Sequence, residues 1–201
     1  KQLSAITDVN EKYLKNQVDE KYKYSEQNLL SSIEQTMEPE SQMLLEHYRC
    51  DYNIINYCNK YFYDNKLKIY KTSNKSSMSV IDDDKGKYVD LNEGYKNERE
   101  IKTINSQIDN NIENKFIITP FRKQADILRE IYGKERCGTI HTFQGKGEKE
   151  VYFSAVLNNT KACINHLKGS NNLFTEQLIN VAVSRAKDKF VLVADKEFFK
   201  K

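Results

Sequence analysis

The sequence predicts an α/β domain built on a mainly parallel sheet with helices on both faces. Three observations predict it. Short apolar runs near 43–46, 116–119, 137–140, 151–157 and 190–194 alternate with segments of helical periodicity, the order that strand–helix–strand units require. Arg122 to Tyr132 places Ala125, Leu128 and Tyr132 on one face and is stopped by Gly133, a helix with its terminator. Gly138 to Leu157, GTIHTFQGKGEKEVYFSAVL, reads as strand, polar loop, strand. In open parallel sheets ligands gather at the carboxyl ends of strands, so the His141–Lys149 loop is expected there. Its glycines let backbone approach a ligand.

The elements follow in order. Lys1-Gln2-Leu3-Ser4-Ala5 opens without an initiator Met and reads as a cut end. Asn10 to Gln35 spaces Leu14, Val18, Tyr22, Leu29, Leu30 and Ile33 for one or two amphipathic helices, with Ser25 placed to cap the second. Met43-Leu44-Leu45 is a short strand, followed by a helix over about Asn53–Tyr63. Lys66, Lys68, Lys71 and Lys75 make a basic stretch. Met78–Ile81 and Lys87–Leu91 are expected to pair as a hairpin across Asp82-Asp83-Asp84-Lys85-Gly86. The three aspartates read as a solvated turn, since an EF-hand frame is missing.

Asn97 to Asn111 is a helix with Ile101, Ile104 and Ile108 on one face. Phe116-Ile117-Ile118 is a buried strand closed by Thr119-Pro120-Phe121. Asn158 to Asn172 reads as a polar loop, Thr175 begins a helix, and Phe190–Ala194 is the last strand. The whole of 1–201 is expected to be one domain, with a small insertion or hairpin at about 68–96.

Composition narrows the function classes. The net charge of +3 permits a nucleic-acid partner without arguing for one. No apolar run approaches the ~20 residues needed to span a bilayer, and no signal peptide opens the chain; no membrane partner and a cytoplasmic location are expected. Cys50, Cys58, Cys137 and Cys163 form no C-x-x-C pair and read as free thiols; no metal site is expected. Of 32 basic residues only Arg49, Arg99, Arg122, Arg129, Arg136 and Arg185 are arginine. In so lysine-rich a chain, arginine suggests places that need a planar fork.

Five stretches resemble motifs of superfamily 1 helicases, of the branch that includes the nonsense-decay helicase and bacterial AAA-type DNA helicases. Thr139, His141, Phe143, Gln144 and Gly145 meet the pattern T-x-H-x-F-Q-G-x-E of motif V. The run N-V-A-V-S-R-A-K-D-K-F-V-L-V, Asn180 to Val193, resembles motif VI at nearly every position. Tyr48, Arg49, Ile54, Tyr57, Phe62, Tyr63 and Leu67 match a Q-Y-R motif, with His47 in place of Gln. Thr119-Pro120-Phe121-Arg122-Lys123-Gln124 resembles T-P-Y-x-x-Q. Lys1-Gln2-Leu3 is similar to the tail of motif III, where Gln2 takes the γ-phosphate-sensing position.

The resemblance implies the second, C-terminal RecA-like motor domain (P-loop NTPase type) of an ATP-dependent DNA helicase or translocase. Arg49 and Arg185 become arginine fingers and Tyr48 stacks on the adenine. Gln144 and Gly145 adjoin the nucleotide. Thr119, Pro120, Thr139, His141 and Thr142 line a track for single-stranded nucleic acid, DNA ahead of RNA. The family's Q-G-x-E glutamate binds the ribose; here Gly147 intervenes, so either Glu148 takes over by a one-residue shift or the contact is lost. His141 equally suits a satisfied structural histidine.

Phosphoryl transfer to water is catalysed by positioning and charge neutralisation, for which guanidinium is suited. No G-x-x-x-x-G-K-[ST] loop and no acidic magnesium-binding strand occur. ATP with Mg2+ would therefore be held mainly by a first RecA-like domain of the same polypeptide, and this chain alone should not hydrolyse ATP. The alternative is a non-catalytic nucleic-acid or protein binding module derived from such a domain.

Overall fold

The computed structural model describes residues 19–23, 29–40, 42–73, 76–82, 94–109, 111–158, 161–168 and 174–200. The chain divides into two compact units, Gln2–Leu45 and Glu46–Lys201. In the first, a 3-10 turn at Glu20–Tyr22 precedes α1, Leu29–Met37. Asp19 caps the turn through Lys21 N, and the Ser32 hydroxyl of α1 donates back to Lys21 O. Gln2 and the 10–18 part of the helical stretch lie outside the described residues.

The second unit is a five-stranded parallel sheet. Its strands are β3 Met78–Asp82, β4 Lys115–Thr119, β5 Cys137–Thr139, β6 Glu148–Ser154 and β7 Ala186–Ala194, in the order β3-β7-β6-β4-β5. Around it lie α2 Tyr52–Phe62, α3 Glu98–Ile108, α4 Arg122–Tyr132, α5 Lys161–Lys168, α6 Glu176–Val183 and α7 Lys196–Phe199. The fold is the expected α/β, RecA-like arrangement.

Alternation along the strands builds two core faces. Ile117, Tyr152 and Val191 lie side by side by register and pack with Ile101, Ile104 and Ile108 of α3 and Leu128 of α4. The neighbouring positions Phe153, Phe190 and Leu192 point the other way. With Val80, Ile179 and Phe199 they line an apolar cavity of about 660 Å³.

Local chemistry sets the helix bounds. Asp51, Asn97 and Thr175 cap α2, α3 and α6 by accepting backbone N–H groups of the first turn. Gly133 follows α4 at φ +89°.

Several expectations are revised. The strand expected at 43–46 reduces to β1, Glu46–His47, which pairs in parallel with β2, Lys68–Ile69, in a separate two-stranded sheet. Met43 and Leu44 are exposed, because only Glu46 and His47 find a strand to pair with. Met78–Asp82, expected as one arm of a hairpin, pairs with β7 as an edge strand of the main sheet; Lys87–Leu91 lies outside the described residues. The polar loop expected over 158–172 contains α5, with Cys163 fully buried.

At the carboxyl end of β6 the chain takes an unusual path. Val156, β-branched and fully buried, sits at φ +69°, a conformation costly for such a residue. A buried polar network holds it. Both carboxylate oxygens of Glu100 accept from Val156 N at 2.9 Å, and Asn97 Nδ2 donates to Val156 O at 3.2 Å. Glu100 also accepts from Ser154 Oγ, and Gln124 Nε2 donates to that same oxygen at 2.9 Å. Gln124 Oε1 accepts from Asn97 N. The glutamine of the T-P-F-x-x-Q stretch is thus wholly buried and ties α4 to α3 and β6.

Glu100→Ala strips Val156 N–H and Ser154 of their buried acceptor. It should cost about 2–4 kcal/mol, read as a lower urea midpoint with an unchanged slope. An equal midpoint would remove the network's structural role.

Candidate functional site

The site is built where the sheet's amino edge meets two loops. Glu148 opens β6 opposite Ala186, the first residue of β7. Arg185 immediately precedes that strand. Because β5 and β6 run parallel, the connection between them must return from the carboxyl edge to the amino edge. It does so through a 3-10 turn, Ile140–Phe143, and then Gln144–Gly147. The expectation that the whole 141–149 loop sits at the carboxyl ends is therefore corrected. Thr139 ends β5 there, while Gly147 and Glu148 lie at the opposite edge beside Arg185.

Arg185 is half-buried among carbonyl oxygens. Its Nε donates to Val181 O at 3.2 Å, and its Nη1 donates to Lys146 O at 2.7 Å and Phe143 O at 3.4 Å. Burial, and next the charge of Arg49, hold its pKa below the usual arginine value. Arg49 is exposed and donates from Nη2 to Ser184 O at 3.0 Å. The two arginines that the sequence singles out thus share one patch. Cys50 Sγ lies 3.5 Å from the same Ser184 oxygen.

Lys71, at the end of β2, fastens this patch. Its Nζ pairs with Asp188 at 2.6 Å and donates to Lys187 O at 3.1 Å and Arg49 O at 3.4 Å. Asp51 N donates to Lys187 O at 2.7 Å. His47, which stands where the resembled motif has glutamine, accepts from Cys50 N through Nε2 at 3.0 Å. A neutral imidazole supplies the acceptor that a glutamine carbonyl offers. Its pKa is lowered by burial first, then by Arg49 and Lys71.

Tyr48 is 62% exposed and stacks on Tyr70, with centroids 4.7 Å apart and planes within 10°. Both phenols donate to Glu46, at 2.7 and 3.2 Å. The Tyr48 hydroxyl is pushed up to about 12, chiefly by its bond to Glu46, so it stays a neutral phenol. One face of the ring is taken by Tyr70. Sequence reasoning missed Tyr70, because its place beside Tyr48 depends on the β1–β2 pairing. It also missed Lys71, visible only as one lysine in a basic stretch.

The remaining expected residues divide. Gln144 and Gly145 are exposed in the turn, and Gly145 has φ +83°. Glu148 is engaged elsewhere: its Oε2 accepts from Arg136 Nη1 at 3.1 Å and its Oε1 from Lys149 N. Thr119 is 0% exposed and Pro120 is buried. The Thr119 hydroxyl accepts from Phe121 N, so these two present no side chain to solvent. His141 and Thr142 are exposed. Thr142 Oγ1 lies 3.2 Å from Thr139 Oγ1 and accepts from Arg129 Nη2 at 3.3 Å. All four cysteines are buried and free. Among the described residues no group of three or more His, Cys, Asp or Glu is arranged for a metal ion, and no helix is long and apolar enough to cross a membrane.

The parallel sheet, the arginine patch at its amino edge and the loops around it place together the stretches whose sequence resembles helicase motifs. A family model described as AAA domain matches residues 25–197, most of the chain, and the protein belongs to that family. No curated protein matches it. Among solved structures, the Arterivirus nonstructural protein 10 (helicase) is similar at 11% identity and TM-score 0.43, over 77% of this chain and 26% of that one. The PRRSV helicase is similar at 16% identity and TM-score 0.42, over 78% and 24%. The chain spans about a quarter of the length of these structures.

The His47 geometry has a pH signature. A histidine whose folded pKa is depressed leaves the unfolded chain binding more protons below about pH 6.5. Its stabilisation is present above that pH and is lost as pH falls through the folded value. In His47→Gln this part of the acid-side loss should vanish, seen as a shallower fall in melting temperature between pH 7 and 5. A slope identical to wild type would reject the assignment.

Proposed function

We propose that this chain is the C-terminal motor domain of an ATP-dependent superfamily 1 DNA helicase or translocase. It supplies two arginine fingers and part of the track for single-stranded nucleic acid. One observation carries this reading: Arg49 and Arg185 meet at one edge of the sheet, each oriented by neutral carbonyl oxygens. Among the described residues neither pairs with a carboxylate. Positive charge held in place and left uncompensated suits the phosphates of a nucleotide.

ATP with Mg2+ fits this patch only as a partial site, because the chain has no phosphate loop. When bound, the nucleotide supplies the phosphoryl group that passes to water. The first RecA-like domain of the same polypeptide would hold most of it. Arg185 and Arg49 then neutralise charge growing on the phosphate oxygens as the two domains close. Tyr48, backed by Tyr70, offers its outer face to the adenine ring. Gln144 and Gly145 lie in the turn whose Lys146 carbonyl orients Arg185. Gln2 would sense the γ-phosphate. Glu148, bound to Arg136, leaves the ribose contact to another group.

On the nucleic-acid side, His141, Thr142 and Thr139 offer small polar groups of the kind that follow a sugar-phosphate backbone without reading sequence. Thr119 and Pro120 would serve that strand by shaping the backbone beneath, since their side chains are buried.

In a polypeptide that includes a phosphate-loop domain, Arg185→Ala should lower nucleic-acid-stimulated ATPase about 10³-fold while nucleotide binding survives in part. Arg185→Lys should restore little, because lysine cannot fork to the carbonyls and a phosphate together. Unchanged turnover with intact circular dichroism would reject the finger role. Single-stranded DNA should stimulate more than RNA of the same sequence; the reverse would assign the polymer to RNA.

A further inference from the structure

The turn that follows β5 is held from behind by one side chain. Arg129, near the end of α4, donates from Nε to Cys137 O at 3.2 Å and from Nη2 to Thr142 Oγ1 at 3.3 Å. Its Nη1 pairs with Asp126 at 2.8 Å, so its charge is answered within α4. Gly138 supplies a seat. A Cβ there would stand 2.9 Å from Thr142 Cβ and 3.0 Å from Thr142 Oγ1, closer than packed atoms tolerate. Thr142 therefore lies directly against the strand, and its hydroxyl meets that of Thr139 at 3.2 Å.

The two hydroxyls carry one proton each. One of these protons lies in the bond between them, whichever oxygen donates it. A guanidinium donates and has no acceptor, so Arg129 cannot receive the other. Neither hydroxyl has a further partner among the described residues. If Thr139 donates to Thr142, the Thr142 oxygen accepts twice and its own proton turns outward. If Thr142 donates, the Thr139 proton turns outward. In both cases the pair ends in a single O–H donor. Thr142 is exposed and Thr139 half-buried, which leaves that donor within reach of a ligand. A hydroxyl that accepts from a cation offers its own hydrogen more strongly, and an anionic oxygen is the acceptor that gains most from it.

We propose that Arg129 is a positioning residue for a hydroxyl relay of Thr139 and Thr142, and that the relay donates to a phosphodiester oxygen of a single strand. Arg129 does not touch the strand itself. Gly138 keeps the seat that lets the two threonines meet. The proposal rests on the reading that Thr139 and Thr142 border the nucleic-acid track. It adds the direction of the hydrogen bond, the group that receives it and the residue that sets it.

The test is fluorescence anisotropy of the whole 201-residue chain with labelled oligo(dT) and with an abasic oligodeoxynucleotide of equal length. Thr139→Val with Thr142→Val keeps the side-chain shapes and removes both hydroxyls. It should weaken both ligands about 10-fold, and serine at both positions should recover the binding. Arg129→Gln should weaken both ligands at least about 3-fold, with a thermal melt within a few degrees of wild type. Added to the valine pair, Arg129→Gln should cause no further loss, because it acts only through the relay. Losses that multiply would make Arg129 a contact in its own right and overturn the relay. Full binding by Arg129→Gln, with the valine pair still weak, would overturn the relay and leave the track reading standing. Weakening toward oligo(dT) alone would assign the donor to a base and overturn the phosphate contact. If the valine pair binds both ligands as wild type does, or the wild type binds neither, the track reading falls together with the relay.

Discussion

The fold's working edge depends on how one guanidinium is held. Arg185 reaches the carbonyls of Val181, Phe143 and Lys146. Those three oxygens belong to the end of α6 and to the loop that precedes β6. One side chain therefore joins a helix terminus, whose last carbonyls lack helical partners, to a loop that must recross the sheet. Hydrogen bonds to a charged donor are worth roughly 1.5–3 kcal/mol each. They add to the anchor that buried Ile140 and Phe143 give the start of the loop, and they hold its exposed part, Gln144 to Lys146. Ser184, one residue earlier, then presents the carbonyl that receives Arg49.

What was legible in the sequence was whatever local pattern dictates. β4 is a short apolar run and forms where expected, whereas β6 begins and ends three residues before the apolar run 151–157. α4 has the expected bounds because the apolar spacing, Pro120 before it and Gly133 after it agree. β7 is longer than its apolar part, since Ala186 and Lys189 pair with Glu148 and Glu150 of β6 across a register shift. The β1–β2 pair, two residues each, has no sequence signature: only the pairing of distant segments makes it. Tyr70 could not be foreseen as the partner of Tyr48 for the same reason. β3 has the composition of a hairpin arm, and tertiary pairing with β7 decides its place.

The candidate site was legible in its charges and illegible in its supports. Arg49 and Arg185 stand out as rare arginines inside motif-like runs. Thr119 and Gln124 stand out equally, yet both are buried, Gln124 in the network around Glu100 and Val156 and Thr119 bonded to Phe121 N. Sequence pattern marks a position as particular without saying which way its side chain faces. After the T-P-F turn, Gln124 faces inward and joins the buried network that holds Val156. The loop from Thr139 to Glu148 shows the other failure. A rule about strand ends located half of it correctly, and the parallel sheet's geometry put the other half at the opposite edge.

The chemistry of the acceptors separates a structural arginine from a site arginine. Arg136 and Arg129 each meet a carboxylate, Glu148 and Asp126, and Lys71 meets Asp188. In those pairs the charge is spent inside the fold. Arg49 and Arg185 are held by carbonyl oxygens, which fix orientation while leaving the full positive charge available. A carboxylate in place of Ser184 O would hold Arg49 as firmly and cancel what it offers to a phosphate. Arg49 divides its fork: Nη2 anchors to the carbonyl, and Nη1 lies beside Gly147, 3.8 Å from where a Cβ there would stand. The carbonyl bonds of Arg185 stabilise the loop, but gathering two like charges at a half-buried edge works against that gain. That cost is understandable if an anion, brought there by another domain, is the partner that completes the arrangement.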